Sequence, residues 1–140
     1  MAQQRIAVVT GGMGGLGESI STKMADAGYK VVVTYSPSNT KHKAWLDEMK
    51  SQGHAFGAYP VDVANFDDCA VKALQIVRDV GAIDILVNNA GITRDMTFKK
   101  MTKADWDAVM RTNLDSCFNM TKQVMDGMVE RNWGRVINVS

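Results

Sequence analysis

The spacing of apolar positions along the chain changes several times, and each change marks an element. Ile6-Ala7-Val8-Val9 is an unbroken apolar run, the pattern of a strand covered on both faces. Beyond the stretch Thr10-Gly11-Gly12-Met13-Gly14-Gly15-Leu16-Gly17, the residues Leu16, Ile20 and Met24 recur every four positions. That spacing predicts an amphipathic helix to about Ala27, with Gly28 ending it. Lys30-Val31-Val32-Val33-Thr34 predicts a second strand. A polar loop from Tyr35 to Asn39 leads into a helix over about 40–52 that carries Trp45, Leu46 and Met49 on one side. A third strand lies within residues 54–63, and Pro60 puts it at a sheet edge, where a missing N–H costs little.

Asn65 reads as a helix N-cap with Asp67 and Asp68 in the first turn. Behind it Phe66, Cys69, Ala70, Ala73, Leu74 and Val77 repeat at three and four, and Gly81 closes the helix. Ile83 to Asn88 predicts a fourth strand, followed by a loop from Asn89 to Met101. Thr102, with Asp105 three residues on, caps one long helix running to about Arg131. Trp133-Gly134 turns the chain into a fifth strand over 135–139. Strands and helices therefore alternate throughout, the signature of a parallel α/β sheet, and no repeat or linker interrupts it. The expectation is one domain over residues 1–140: a doubly wound parallel sheet, strand order 3-2-1-4-5, truncated after its fifth strand.

A glycine-rich turn between a strand and a helix is suited to a pyrophosphate. Side chains would hold the backbone away from the ligand, and the helix start presents free N–H groups. Gly17 lets the helix pack close to the strand. Ligands of such sheets lie beyond the C-terminal strand ends, so the polar residues there are the ones to weigh. After the second strand a domain that binds NAD carries an acid; here Thr34, Tyr35 and Ser36 stand in its place, with Lys41, His42 and Lys43 close by. Cations there suit a 2′-phosphate and favour NADP. After the third strand comes Asp62-Val63, whose carboxylate either receives the adenine amino group or caps the turn. After the fourth comes Asn88-Asn89-Ala90-Gly91, a narrow backbone surface with donors and acceptors. Asn113 lies mid-helix in an apolar neighbourhood, where it either bends the helix or holds a water.

Composition narrows the alternatives. With 16 Lys and Arg against 15 Asp and Glu, the net charge of +1 supplies no basic field for nucleic acid or an anionic membrane. No apolar run approaches the ~20 residues of a membrane helix, and the N-terminus lacks the layout of a signal peptide. Cys69 and Cys117 read as two free, buried thiols of a reducing cytoplasm, and two histidines without a cysteine cluster make a zinc site a poor expectation. The methionines of the helices read as core filling. A methyltransferase of similar fold would share the glycine turn but would need an acid after the second strand.

Taken together, Thr10-Gly11-x3-Gly15-x-Gly17, Asp62-Val63, Asn88-Asn89-Ala90-Gly91 and Asn113 resemble, in order and spacing, the short-chain dehydrogenase/reductases, a Rossmann-type family. Residues 91–95, 101–109 and 121–128 are similar to the NADPH-dependent acetoacetyl-CoA reductases of polyhydroxyalkanoate synthesis, a subgroup near the 3-oxoacyl-carrier-protein reductases. The resemblance implies hydride transfer from NADPH to a 3-keto group, giving an (R)-3-hydroxyacyl-CoA. It implies that Gly11, Gly12, Met13, Gly14, Gly15, Leu16 and Gly17 hold the pyrophosphate. Lys41 would hold the 2′-phosphate, Tyr35 would also belong to the cofactor site, and Asp62 and Val63 would flank the adenine. Asn89, Ala90, Gly91, Ile92 and Thr93 would line the ribose and nicotinamide. Asp95 would lie near the acyl-CoA, and Asn113 would fix a water of the proton relay. The family's catalytic serine, and the Tyr-x3-Lys that supplies the proton and grips the ribose, have no counterpart here: Ser140 matches the serine before the catalytic one. The 140 residues are thus expected to be the N-terminal part of a reductase, inactive alone, with the family's homotetramer expected of the full-length protein.

Overall fold

The computed structural model describes residues 4–140. Five parallel strands form one sheet: β1 (Ile6–Val9), β2 (Lys30–Tyr35), β3 (Gly57–Pro60), β4 (Ile85–Asn88) and β5 (Arg135–Asn138). They lie in the order β3-β2-β1-β4-β5, as the alternating pattern implies, and Pro60 is in an edge strand. Val8 is level with Val32 on one side and Leu86 on the other, which places the middle of β1 at the centre of the sheet.

The continuous apolar runs are explained by burial on both faces. Ala7, Val9, Val31, Val33, Ile85 and Val87 point to one side, where Ile20 and Met24 of α1 (Gly15–Asp26) and Trp45 of α2 (His42–Ser51) cover them. Ile6, Val8, Val32 and Leu86 point to the other, under Cys69 and Ile76 of α3 (Phe66–Asp79) and Met120, Val124 and Met128 of α5 (Ser116–Glu130). Met49, Met120 and Met128 do fill core, whereas Met125 is exposed. Asn65 caps α3 by accepting the N–H of Asp68 at 2.9 Å. Thr102 and Asp105 form a reciprocal capping box at the start of α4 (Lys103–Met110).

Four expectations change. The long helix is not continuous: between α4 and α5 the backbone takes a π-helical turn over Arg111–Asp115, with Asn113 in its middle. The buried stripe of α3 is Cys69, Ala73 and Ile76, while Phe66, Leu74 and Val77 are exposed, because the helix is rotated to set its narrowest apolar row against the sheet. Leu16 is 58% exposed, at the cleft and not in the core under α1. Cys69 is buried as expected, but Cys117 is only partly so. Beyond β4, β5 has no further strand partner among the described residues, and Val136, Ile137 and Val139 are partly exposed.

Candidate functional site

The C-terminal ends of β1, β2 and β4 open into two adjoining cavities of about 360 and 220 Å3. They share Gly11, Thr34, Tyr35, Ser36, Ala90 and Gly91. This is the crevice where an open α/β sheet takes its ligand.

The glycine turn is built by close approach. Gly11 has φ +62°, and a Cβ there would come 2.9 Å from the Cα of Ala90. At Gly17 a Cβ would collide with the Gly11 carbonyl and the Asn89 amide, so nothing larger than glycine lets α1 start beneath the turn. Gly14 and Gly15 differ: both are exposed and a Cβ on either would meet nothing within 4 Å, and Gly14 lines the larger cavity. Gly14 is also the N-cap of α1 and offers no side chain to the first-turn N–H groups. Asn65 and Thr102 do this for α3 and α4. The start of α1 is therefore a bare, positively polarised end beside open space, the kind of end that attracts an anion.

Thr10 locks this turn to the end of β4, a role that reading the sequence did not assign. Its hydroxyl, buried with the rest of the residue, accepts the N–H groups of Asn89 and Ala90, both at 3.0 Å, and donates to the Val87 carbonyl at 3.4 Å. The Asn89 side chain donates back to the carbonyls of Thr10 and Gly11, both at 3.2 Å. Asn88 points away from the cleft and ties β4 to Asn138 of β5 at 2.9 Å and to Thr121 of α5 at 3.2 Å.

Along the other walls stand Met13 and Leu16, then Tyr35, Ser36 and Asn39 after β2. Tyr35 stacks on His42, ring centroids 4.5 Å apart. Lys41 does not line either cavity; its side chain is exposed, and its backbone N–H donates to Asn39 Oδ1 at 2.7 Å. Asp62 and Val63 border the smaller cavity. Of the two roles open to Asp62, the turn cap is present: Oδ1 accepts the N–H of Ala64 at 3.1 Å. Asn119 donates to the Val63 carbonyl at 2.9 Å, and the Cys69 thiol points at the Asp62 and Val63 carbonyls at 3.7 Å. Burial, with the Asp68 and Asp62 carboxylates adding to it, pushes that thiol up to about 12. Apart from Tyr35, Asp62 is the one ionisable side chain of the two linings.

Gly91 and Ile92 complete the rim, and the Asn113 amide clamps them. Its Oδ1 accepts the Ile92 N–H at 2.8 Å and its Nδ2 donates to the Ile92 carbonyl at 2.9 Å. A Cβ on Gly91 would stand 3.2 Å from that oxygen. Asn113 thus sits in the middle of the π turn that interrupts the helix, with its amide at the rim. Thr93 and Asp95 are exposed and line neither cavity. Among the described residues, no three His, Cys, Asp or Glu side chains are grouped to hold a metal ion, and no helix is long and apolar enough to cross a membrane.

A family model described as short chain dehydrogenase matches residues 5–140. The chain is 50% identical over 137 residues to acetoacetyl-CoA reductase of Cupriavidus necator, covering 98% of itself and 56% of that protein. It is 37% identical over 140 residues to the 3-oxoacyl-[acyl-carrier-protein] reductase of Staphylococcus aureus, of which it covers 57%. The chain thus spans a little over half the length of these relatives. A gluconate 5-dehydrogenase from Burkholderia cenocepacia, solved in complex with NADP and tartrate, superposes with a TM-score of 0.84 at 33% identity, over 94% of this chain and 51% of that one. Matched from its first strand to its last by the family and carrying the family's sheet order around an open glycine cradle, the chain belongs to the short chain dehydrogenases.

Proposed function

We propose that this chain is the dinucleotide-holding part of an NADPH-dependent reductase acting in the cytoplasm on the 3-keto group of acetoacetyl-CoA or a related 3-oxoacyl thioester. The observation that carries the binding half of this reading is the bare start of α1 beside the open backbone of Gly14 and Gly15, in a cleft whose larger chamber has no carboxylate in its lining. The acetoacetyl-CoA reductase of Cupriavidus necator, half identical to the chain, supports the substrate class. When bound, NADPH supplies a hydride.

Each part of the chain then has a task. The first-turn N–H groups of α1 and the Gly11–Gly17 backbone hold the pyrophosphate. Tyr35 and the rim cation Lys41 serve the 2′-phosphate end. Asp62 and Val63 border the adenine, and Asn89, Ala90, Gly91, Ile92 and Thr93 border the ribose and nicotinamide. Asn113 holds Ile92 through both backbone groups, and the same amide, released from one of them, positions a water of the proton path. Asp95 faces the acyl thioester. An exposed apolar row, Leu114, Phe118, Met125 and Val129, with Phe66 stacked on Phe118 at 5.9 Å, is the surface on which the whole protein pairs its copies into a homotetramer.

A second reading, favoured by the Staphylococcus aureus relative, is reduction of the same group on a carrier protein. Assay of the whole protein separates the two. With NADPH it should reduce acetoacetyl-CoA at a higher kcat/KM than acetoacetyl-carrier protein, and give the (R)-alcohol on chiral analysis. Faster turnover of the carrier-bound ketone would reverse the order of the readings, and no reduction of either would refute both.

A further inference from the structure

The smaller cavity lies between two loops, Asp62 and Val63 after β3 on one side and Gly91 and Ile92 after β4 on the other. Thr112, from the π turn, lines it as well. Both loops are held by this one stretch of helix. Asn113 clamps the Ile92 backbone at one rim, and Asn119, further along in α5, donates from Nδ2 to the Val63 carbonyl at 2.9 Å at the other.

The turn after β3 is otherwise tied only to nearby chain. The Asp62 N–H donates to the Asp68 carboxylate at 2.7 Å, the Ala64 N–H to Asp62 Oδ1 at 3.1 Å and the Asn65 N–H to the Asp62 carbonyl at 3.0 Å. The Cys69 thiol reaches the Asp62 and Val63 carbonyls at 3.7 Å. These partners belong to the turn itself or to the start of α3, so they move with it. Among the described residues, the Asn119 amide makes the one hydrogen bond from Asp62–Asn65 to chain beyond α3. At 6% exposure, Asn119 has little water to turn to instead.

We propose that Asn119 is a positioning residue for the dinucleotide: acting through the Val63 carbonyl, it fixes the turn after β3 at a set distance from the Ile92 rim. The proposal rests on the reading of the cleft as a dinucleotide site and adds what sets its span. A dinucleotide engages both rims at once, so its adenosine half is held only where the turn stays at the place α5 gives it. Asn119 touches no ligand; its contribution is the order it imposes on the turn before binding. Losing it leaves every local bond of the turn in place, so the protein folds and the turn is loosened.

The test compares wild type, Asn119→Leu and Asn119→Ala. Leucine keeps the branching and nearly the volume of the amide without its donor; alanine also removes the contact. Circular dichroism checks the fold. NADPH is titrated by nicotinamide fluorescence, and adenosine 2′,5′-bisphosphate, the adenosine half alone, by calorimetry. Each variant should bind both about fivefold more weakly, by the same factor, because the whole loss falls on the shared half. In the whole protein the KM for NADPH should rise by that factor at unchanged kcat, an effect that a loss of stability alone would not produce. Affinities within twofold of wild type, a loss for NADPH much larger than for the bisphosphate, or a fall in kcat would each overturn the proposal. So would failure of both variants to fold, which would make Asn119 a core residue only. If the wild type binds neither ligand, the reading of the cleft is refuted, and this assignment with it.

Discussion

Replacing Thr10 by valine removes one hydroxyl and keeps the volume, at a residue 1% exposed. That hydroxyl is the acceptor for the N–H groups of Asn89 and Ala90 at 3.0 Å each. Neither amide has a substitute nearby, since the Val87 carbonyl already receives the Thr10 N–H at 3.0 Å, and a methyl group fills the space a water would need. Leaving a buried donor unpaired costs about 1–3 kcal/mol, and these two are only partly buried, so Thr10→Val should destabilise the protein by about 2–4 kcal/mol. That is a large share of the ~5–15 kcal/mol that holds a domain together. With a urea dependence of about 2 kcal/mol per molar, the unfolding midpoint should fall by about 1–2 M at unchanged slope. Thr10→Ser, which keeps the hydroxyl and loses a methyl, should cost only about 1 kcal/mol. If Thr10→Val unfolds within 0.5 kcal/mol of wild type, or if the serine variant is as weak as the valine, the hydroxyl does not hold the turn to β4 and the reasoning fails.

Other outcomes follow from the same geometry. Gly17→Ala sets a methyl group against the Gly11 carbonyl and the Asn89 amide, so the turn must shift; dinucleotide affinity should drop by about tenfold or more in a fluorescence titration. Cys69, buried and pushed up to about 12, should resist iodoacetamide in the native protein while Cys117 reacts, with both modified in guanidinium; mass spectrometry of native and unfolded samples distinguishes them. The Thr102 hydroxyl and N–H hold the Asp105 carboxyl below its usual range. A carboxyl whose folded value is depressed adds stability above its unfolded value and loses it as pH falls through the folded one. The cap of α4 should therefore be intact at neutral pH and open below the ordinary carboxylate range, and the protection of amides in the first turn of α4, measured against their intrinsic exchange rate at each pH, should fall there in wild type but not in Asp105→Asn.

How far the sequence discloses the fold depends on whether the information is local. The strands were legible because each central one carries an unbroken apolar run, and a parallel sheet buries both faces. The caps Asn65 and Thr102 were legible because their partners lie three residues away. The face of α3 was not: Phe66, Leu74 and Val77 form a second apolar row beside the true core row through Ile76, and a period of three and four admits either. The site divides in the same way. The glycine turn and the Asn89–Gly91 loop can be picked out by composition, and the cleft brings them together. The role of Thr10 rests on partners 79 and 80 residues away, and no local pattern marks a threonine for that.

The π turn before α5 can also be read as a matter of phase. An α-helix advances about 100° per residue, so one surplus residue rotates everything downstream by roughly that angle against everything upstream. Lys103–Met110 and Ser116–Glu130 are separated only by the turn Arg111–Asp115 yet belong to two differently indexed cylinders. A single helix could not present Asn113 to Ile92 and at the same time keep Met120, Val124 and Met128 on the sheet unless both demands fell on one azimuth. The surplus residue removes that constraint, so the rim of the cleft and the floor of the core can each drift in sequence without retuning the other. Deleting one residue between Arg111 and Asp115 would merge the two indices into one, and the amide and the core row would then compete for the same angular position.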